Sequence, residues 1–96
     1  MNDNYIDMDD STLRQRAEHA AARARIARND EVIAALNVLW AEVHRAWRSA
    51  NAAGASGNVL EAHRLACEAL AGQINALRAE NREHVRTIYG GMDIDC

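Results

Sequence analysis

Apolar residues recur at helical spacing over most of the chain, and the pattern is clearest in its last third. There the steps alternate between three and four residues without a break, which is typical of a helix that packs along one face. The repeat comprises Leu60, His63, Cys67, Leu70, Ile74, Leu77, Asn81, His84 and Ile88. It predicts a helix over 58–89, about 48 Å long, that ends at Tyr89 before a pair of glycines.

The first half of the chain predicts two further helical segments, 11–28 and 31–50. Over 11–28 the spacing gives a thin stripe of Leu13, Ala17, Ala20, Ala24 and Ala27. Over 31–50 the stripe continues out of phase, in Val32, Leu36, Leu39, Val43, Ala46 and Ala50. The change of phase predicts a kink or short break at 29–30. A second stripe widens the apolar face of 31–50, and it comprises Ile33, Trp40 and Trp47.

Capping residues mark the helix starts and the reversal of the chain. The segment 51–57 contains glycine and small residues and predicts the turn. Asn58 followed by Glu61 predicts the start of the last helix. Thr12 followed by Gln15 has capping-box spacing and predicts that the first helix begins there.

These elements predict an all-α fold, either an antiparallel helical hairpin or a small three-helix arrangement, in a single domain over 11–90. Acidic tails over 1–10 and 91–96 flank this domain, because their composition buries too little apolar area to order alone. The expected core comprises Val32, Leu36, Leu39, Trp40, Val43, Leu60, Leu70, Ile74, Leu77 and Ile88. A two-helix layer leaves apolar surface uncovered, so a homodimer or a larger partner is expected to cover it.

Composition narrows the classes of function. The net charge is -3 and all 11 basic residues are arginine, which argues against general nucleic-acid binding because phosphate contacts need a basic face. Two cysteines are too few for a disulfide scaffold, which favours a reducing cytoplasm. The acidic N-terminus does not resemble a signal peptide, and no apolar run is long enough to span a membrane.

Candidate chemistry is sparse. His44, His63 and Cys67 would approach one another across a hairpin as metal ligands, although isolated residues of these types more often pack in helix seams, and neither a metal nor a cofactor is expected. Three polar residues interrupt the repeat, His63, Asn81 and His84, which is typical of positions that fix register or oligomer state; the alternative is that this half of the seam faces solvent or a partner. The sequence contains neither a nucleophile arrangement nor a phosphate-binding loop, so the protein is not expected to be an enzyme.

Three stretches of the chain resemble a type I-E inhibitor among the small anti-CRISPR proteins encoded by phages. They are Leu13-Arg14 with Glu18 and Ala20-Ala21, then Leu60-Glu61 with Ala66-Cys67, then His84, Arg86, Tyr89-Gly90 and Asp93-Ile94-Asp95. The resemblance implies a cytoplasmic inhibitor that sterically blocks a component of CRISPR interference, such as the helicase-nuclease recruited to the surveillance complex. The residues expected to contact this partner are Trp47, His84, Arg86, Tyr89, Asp93 and Asp95.

The chain is also similar to the WxG helical hairpins that type VII systems secrete. Trp47 precedes the predicted turn, and Tyr89 with Asp93 has the spacing of the family's Tyr-x-x-x-Asp tail. The sequence departs from the family at Ser49, where the motif has glycine. A third alternative is a structural or adaptor protein of a phage particle.

Overall fold

The computed structural model describes the backbone of residues 3–90 and the side chains of residues 11–90. Two helices, α1 (Asp3–Ala52) and α2 (Gly57–Tyr89), account for almost all of this part of the chain. They pack side by side and run in opposite directions, so the predicted all-α helical hairpin is confirmed. The molecule is a rod with extents of 80 × 26 × 15 Å.

The first arm of the hairpin is one helix, and the predicted break at 29–30 is wrong. α1 also begins at Asp3, before the start predicted at Thr12, so residues 3–10 are helical rather than a separate tail. The face toward α2 follows an alternating repeat with no change of phase: His19, Ala22, Ile26, Asn29, Ile33, Leu36, Trp40, Val43 and Trp47. The apparent slip arose because the stripe predicted over 11–28, from Leu13 to Ala27, is exposed and lies beside the seam, and because the polar Asn29 was not counted as a seam position.

The seam between the helices contains the core. Ile33, Ile74 and Ile88 are buried, and the other predicted α2 core positions are half-buried. Two predicted core residues are wrong, because Val32 and Leu39 lie beside the seam and are 40% and 47% exposed. The remaining predicted core residues of α1 are half-buried: Leu36, Trp40 and Val43.

The turn is built by a left-handed glycine. Gly54 has φ of +76° and donates its N–H to the carbonyl of Asn51, while Ala55 donates to the carbonyl of Ala50. These two bonds form the Schellman arrangement that satisfies the last carbonyls of a helix. Ser56 then caps α2 by accepting the N–H of Val59, so α2 starts just before the predicted cap Asn58.

α1 is longer than α2, so within the described residues the N-terminal end of α1 does not pack against α2. With Asn29 hydrogen-bonded to Asn81, the register places Ile88 opposite Ala22, and α2 ends at Tyr89. Residues 3–18, here named the N-terminal arm, therefore extend beyond the last residue of α2. In the part of the chain that the structure describes, neither helix has a stretch apolar enough to cross a membrane.

Two glycine substitutions test the turn. Gly54→Ala is expected to lower the free energy of unfolding by about 1 to 2 kcal/mol, because an L side chain is strained at positive φ. An added Cβ meets nothing within 4 Å, so crowding contributes no part of this loss. Chemical denaturation, monitored by circular dichroism at one protein concentration, measures it.

Gly72→Ala is the matched control, since Gly72 lies inside α2 and its added Cβ also meets nothing within 4 Å. This change is expected to stabilise the protein by about 0.5 to 1 kcal/mol, because alanine has the higher helix propensity. Equal effects of the two substitutions would contradict the turn described here.

Candidate interaction surfaces

A polar layer crosses the seam where most of its neighbours are apolar. Asn29 is only 7% exposed and donates its amide to Asn81 Oδ1 at 2.9 Å and to Glu80 Oε2 at 3.2 Å. Asn81 in turn donates to Asp30 Oδ1 at 3.0 Å. His84 Nε2 lies 3.1 Å from the same Glu80 oxygen. The five side chains form one connected network that spans both helices.

The network favours a charged Glu80. The amide of Asn29 has the largest effect and His84 the next, and together with the more distant Arg25 they lower the pKa of the Glu80 carboxyl below its ordinary value of 4.5. Partial desolvation opposes this shift without reversing it. Glu80 therefore prefers to be ionised while it holds the two helices in register.

Three aromatic side chains of α1 stack in a column near the turn. Trp40 and His44 stack with ring centroids 4.8 Å apart, and His44 and Trp47 stack at 6.0 Å. All three side chains are half-buried, among them Trp40 of the predicted core. The column stiffens the end of α1 that leads into the turn.

The seam has two sides of different chemistry. On one side a groove of about 290 Å³ is lined by polar and apolar residues: Asn37, Trp40, Ala71, Ile74, Asn75 and Arg78. On the other side a groove of about 270 Å³ lies near the end of α2 and is lined by Glu18, Ala21, Ala22, Arg25, His84 and Thr87. The second groove reaches the start of the N-terminal arm.

The side with the second groove becomes apolar toward the turn. One heptad after Arg25 along α1 comes Val32, followed by Leu39 and Ala46. On the same side of α2, Gln73 and Glu80 lie across from Leu39 and Val32, and the stripe becomes apolar near the turn, at Ala66 and Val59. Val59 is 42% exposed, similar to Val32 and Leu39. We name the apolar side face for its six apolar residues: Val32, Ala35, Leu39, Ala46, Val59 and Ala66. Sequence reasoning placed Val32 and Leu39 in the core and so missed this face.

Four of the residues predicted to contact a partner lie in the described part of the chain. His84, Arg86 and Tyr89 share the last two turns of α2, where Tyr89 is 41% exposed and Arg86 pairs with Glu83 at 2.6 Å. Trp47 lies at the opposite end of the hairpin, beside the turn. The structure therefore brings three of these residues together and separates the fourth. Asp93 and Asp95 lie outside the described residues.

Two of the three candidate metal ligands have other contacts. His63 Nδ1 lies 2.9 Å from the carbonyl oxygen of Val59, and His44 is stacked between the tryptophans. Among the described side chains, no group of three His, Cys, Asp or Glu residues is arranged to hold a metal ion. Cys67 is a half-buried free thiol in the seam.

A pH titration tests the polar layer. Because the pKa of Glu80 is lower in the folded protein than its ordinary 4.5, its ionisation stabilises the fold above that pH. This stabilisation is lost as the pH falls through the lower, folded value. The Glu80→Gln protein is therefore expected to be less stable than wild type at pH 7, with the difference shrinking below about pH 4.5.

Urea denaturation between pH 3 and 7 measures this difference. Glu83→Gln is the control. Glu83 pairs with Arg86 on its own helix, and among the described residues its side chain makes no hydrogen bond to α1. The prediction fails if the difference in unfolding free energy between wild type and Glu80→Gln does not change with pH. It also fails if this difference changes equally with pH for Glu83→Gln.

Known proteins supply no identification for these surfaces. No protein family matches the chain, and neither characterised proteins nor solved structures include a match. What the chain does is therefore inferred from its own residues and from the resemblance in its sequence.

Proposed function

We propose that the protein is a non-enzymatic inhibitor of the anti-CRISPR type, which acts in the cytoplasm of a bacterial host and sterically blocks a component of a type I interference complex. The observation that supports a binding role is the far end of the rod, where the N-terminal arm, a groove and the exposed end of α2 meet. The choice of target follows from the sequence resemblance. The favoured target is the helicase-nuclease recruited to the surveillance complex.

The far end of the rod has the chemistry of a protein-binding surface. Tyr89 and Arg86 are exposed there, and tyrosine and arginine are enriched among residues that dominate protein interfaces. Leu13 on the N-terminal arm is 56% exposed and adds apolar contact area. Glu18 and Arg25 border the groove and offer charges of both signs. We name Leu13, Arg86 and Tyr89 the distal contact set.

The shape of the hairpin suits inhibition by obstruction. A rod 80 Å long is comparable to or longer than many single domains, so binding at one end places bulk over neighbouring surface. The polar layer and the continuous α1 hold the distal contact set in a fixed arrangement before binding. A preorganised surface loses less entropy on association, which favours tight binding without chemical modification of the target.

Affinity capture with matched variants tests the proposal. Tagged protein is added to a lysate that contains an active type I system, and captured proteins are identified by mass spectrometry. Wild type is expected to enrich one interference protein at stoichiometric yield. Tyr89→Ala is expected to weaken this capture at least tenfold, because truncating a tyrosine that dominates an interface costs about 2 kcal/mol or more.

Leu65→Ala is the control, since Leu65 is a 52% exposed residue of α2 far from the distal contact set. This variant is expected to capture as well as wild type and to protect phage DNA equally. Failure of wild type to bind any interference component, together with failure to protect phage or plasmid DNA, would refute the proposal.

The hairpin with a tryptophan close to its turn also favours a second candidate, a WxG-like substrate of type VII secretion. Trp47 is half-buried and lies in the last turns of α1, before the turn of the hairpin. Secretion would then depend on Trp47 and Tyr89, and an export assay in a type VII host would show retention of Trp47→Ala and Tyr89→Ala inside the cell. Export of both variants at wild-type level would exclude this candidate.

A further inference from the structure

The middle of α1 is apolar on more sides than the hairpin covers. Between residues 32 and 41 every residue except Asn37 is apolar. Ile33 and Trp40 face the seam, whereas Val38 is 58% exposed and Val32 and Leu39 are also largely exposed. A helix that is apolar around its circumference is typical of a helix with neighbours on several sides. Among residues 3–90, α1 has one helical neighbour, α2.

The exposed surface is also larger than a compact protein of this size presents. The accessible surface area is 7159 Å², whereas a folded monomer of 10.6 kDa exposes about 5,500 Å². The excess is roughly 1,700 Å². The unpaired N-terminal arm contributes to this excess. Chains that are stable only as dimers bury about 1,000 to 2,500 Å² each, so the excess is also of the size that a dimer contact covers.

Charges along the apolar side face are arranged for self-association. Arg28 lies two turns before Ala35 on this stripe of α1, and Glu42 lies two turns after it. Both are exposed, and neither takes part in an ion pair among the described residues. Opposite charges at equal distances from an apolar centre match each other when the same surface is turned by a two-fold axis.

We propose that a second copy of the chain covers the apolar side face, with the two hairpins antiparallel and a two-fold axis beside Ala35. Arg28 of each copy then meets Glu42 of the other, and Val32 of each lies near Leu39 of the other. The result is a four-helix bundle in which Val32 and Leu39 become interior. The axis lies near the middle of the paired region, so the hairpins overlap along their full paired length.

The inference is independent of the proposed inhibitor function, because the distal contact set lies outside the apolar side face. The antiparallel bundle places one distal contact set at each end. A variant that becomes monomeric is therefore expected to retain target binding at each single site.

Molar mass in solution tests the proposal. Sedimentation equilibrium of the full chain is expected to give twice the 10.6 kDa monomer mass for wild type. Leu39→Lys is expected to give the monomer mass, because each dimer would bury two lysine ammonium groups in an apolar contact, each beside Val32 of the other copy. Leu65→Lys is the matched control: Leu65 is 52% exposed and Leu39 is 47% exposed, but Leu65 lies outside the apolar side face. It is expected to stay dimeric.

A charge exchange tests the position of the axis. Arg28→Glu alone is expected to raise the dimer dissociation constant on the order of tenfold, because two attractive contacts per dimer become repulsive. The double change Arg28→Glu with Glu42→Arg restores both contacts and is expected to return the constant to near the wild-type value. Far-ultraviolet circular dichroism verifies that each variant keeps its helix content.

A wild-type chain that remains monomeric at 100 µM concentration would overturn the proposal, as would a Leu39→Lys variant that remains dimeric. A dimer that Leu65→Lys disrupts and Leu39→Lys does not would place the contact on another face. Failure of the double charge exchange to restore association would show that the two-fold axis does not lie beside Ala35.

Discussion

The hydrogen bond between Asn29 and Asn81 is the contact on which the register of the hairpin depends. A slip of either helix would leave a buried amide without its partner, at a cost of about 1 to 3 kcal/mol, while apolar seam residues exchange partners at lower cost. Glu80 and Asp30 extend the bond into a network that the slipped arrangements lack. The polar layer thus favours a single alignment among several that the repeating apolar positions allow.

The shape and surfaces of the molecule follow from that alignment. Because the polar layer pairs Asn29 with Asn81, the turn lies midway between them, at 53–56. In the same register α2 ends at Tyr89, and α1 continues beyond it as the N-terminal arm. The same alignment turns Ile33 and Trp40 into the seam and leaves Val32 and Leu39 beside it. A different register would move other residues into the seam, and the apolar side face would not exist in its present form.

The sequence predicts α2 well and α1 less well, for a physical reason. In α2 the apolar repeat occupies one face, so its seam and its end at Tyr89 are readable from spacing alone. In α1 apolar residues surround the helix, and two neighbouring stripes compete for the seam. The choice between Leu39 and Trp40 depends on Asn29, whose role becomes visible when Asn81 is set opposite it across the turn. Long-range pairing of two polar residues is not contained in the local period.

The core of the hairpin is small, so contacts made by its surface have a large effect on its stability. Buried apolar side chains are few, and the seam is one residue layer wide, so the hairpin gains limited stability from its own contacts. Burying the apolar side face would remove further apolar side chains of α1 from water and so stabilise the fold. The middle of α1 is apolar enough for such burial. Association and folding would then be linked, because a contact that binds the folded hairpin alone stabilises it by mass action. The far end of the rod remains open in that arrangement, so the proposed self-association near Ala35 and the proposed recognition through Tyr89 would use separate parts of one scaffold.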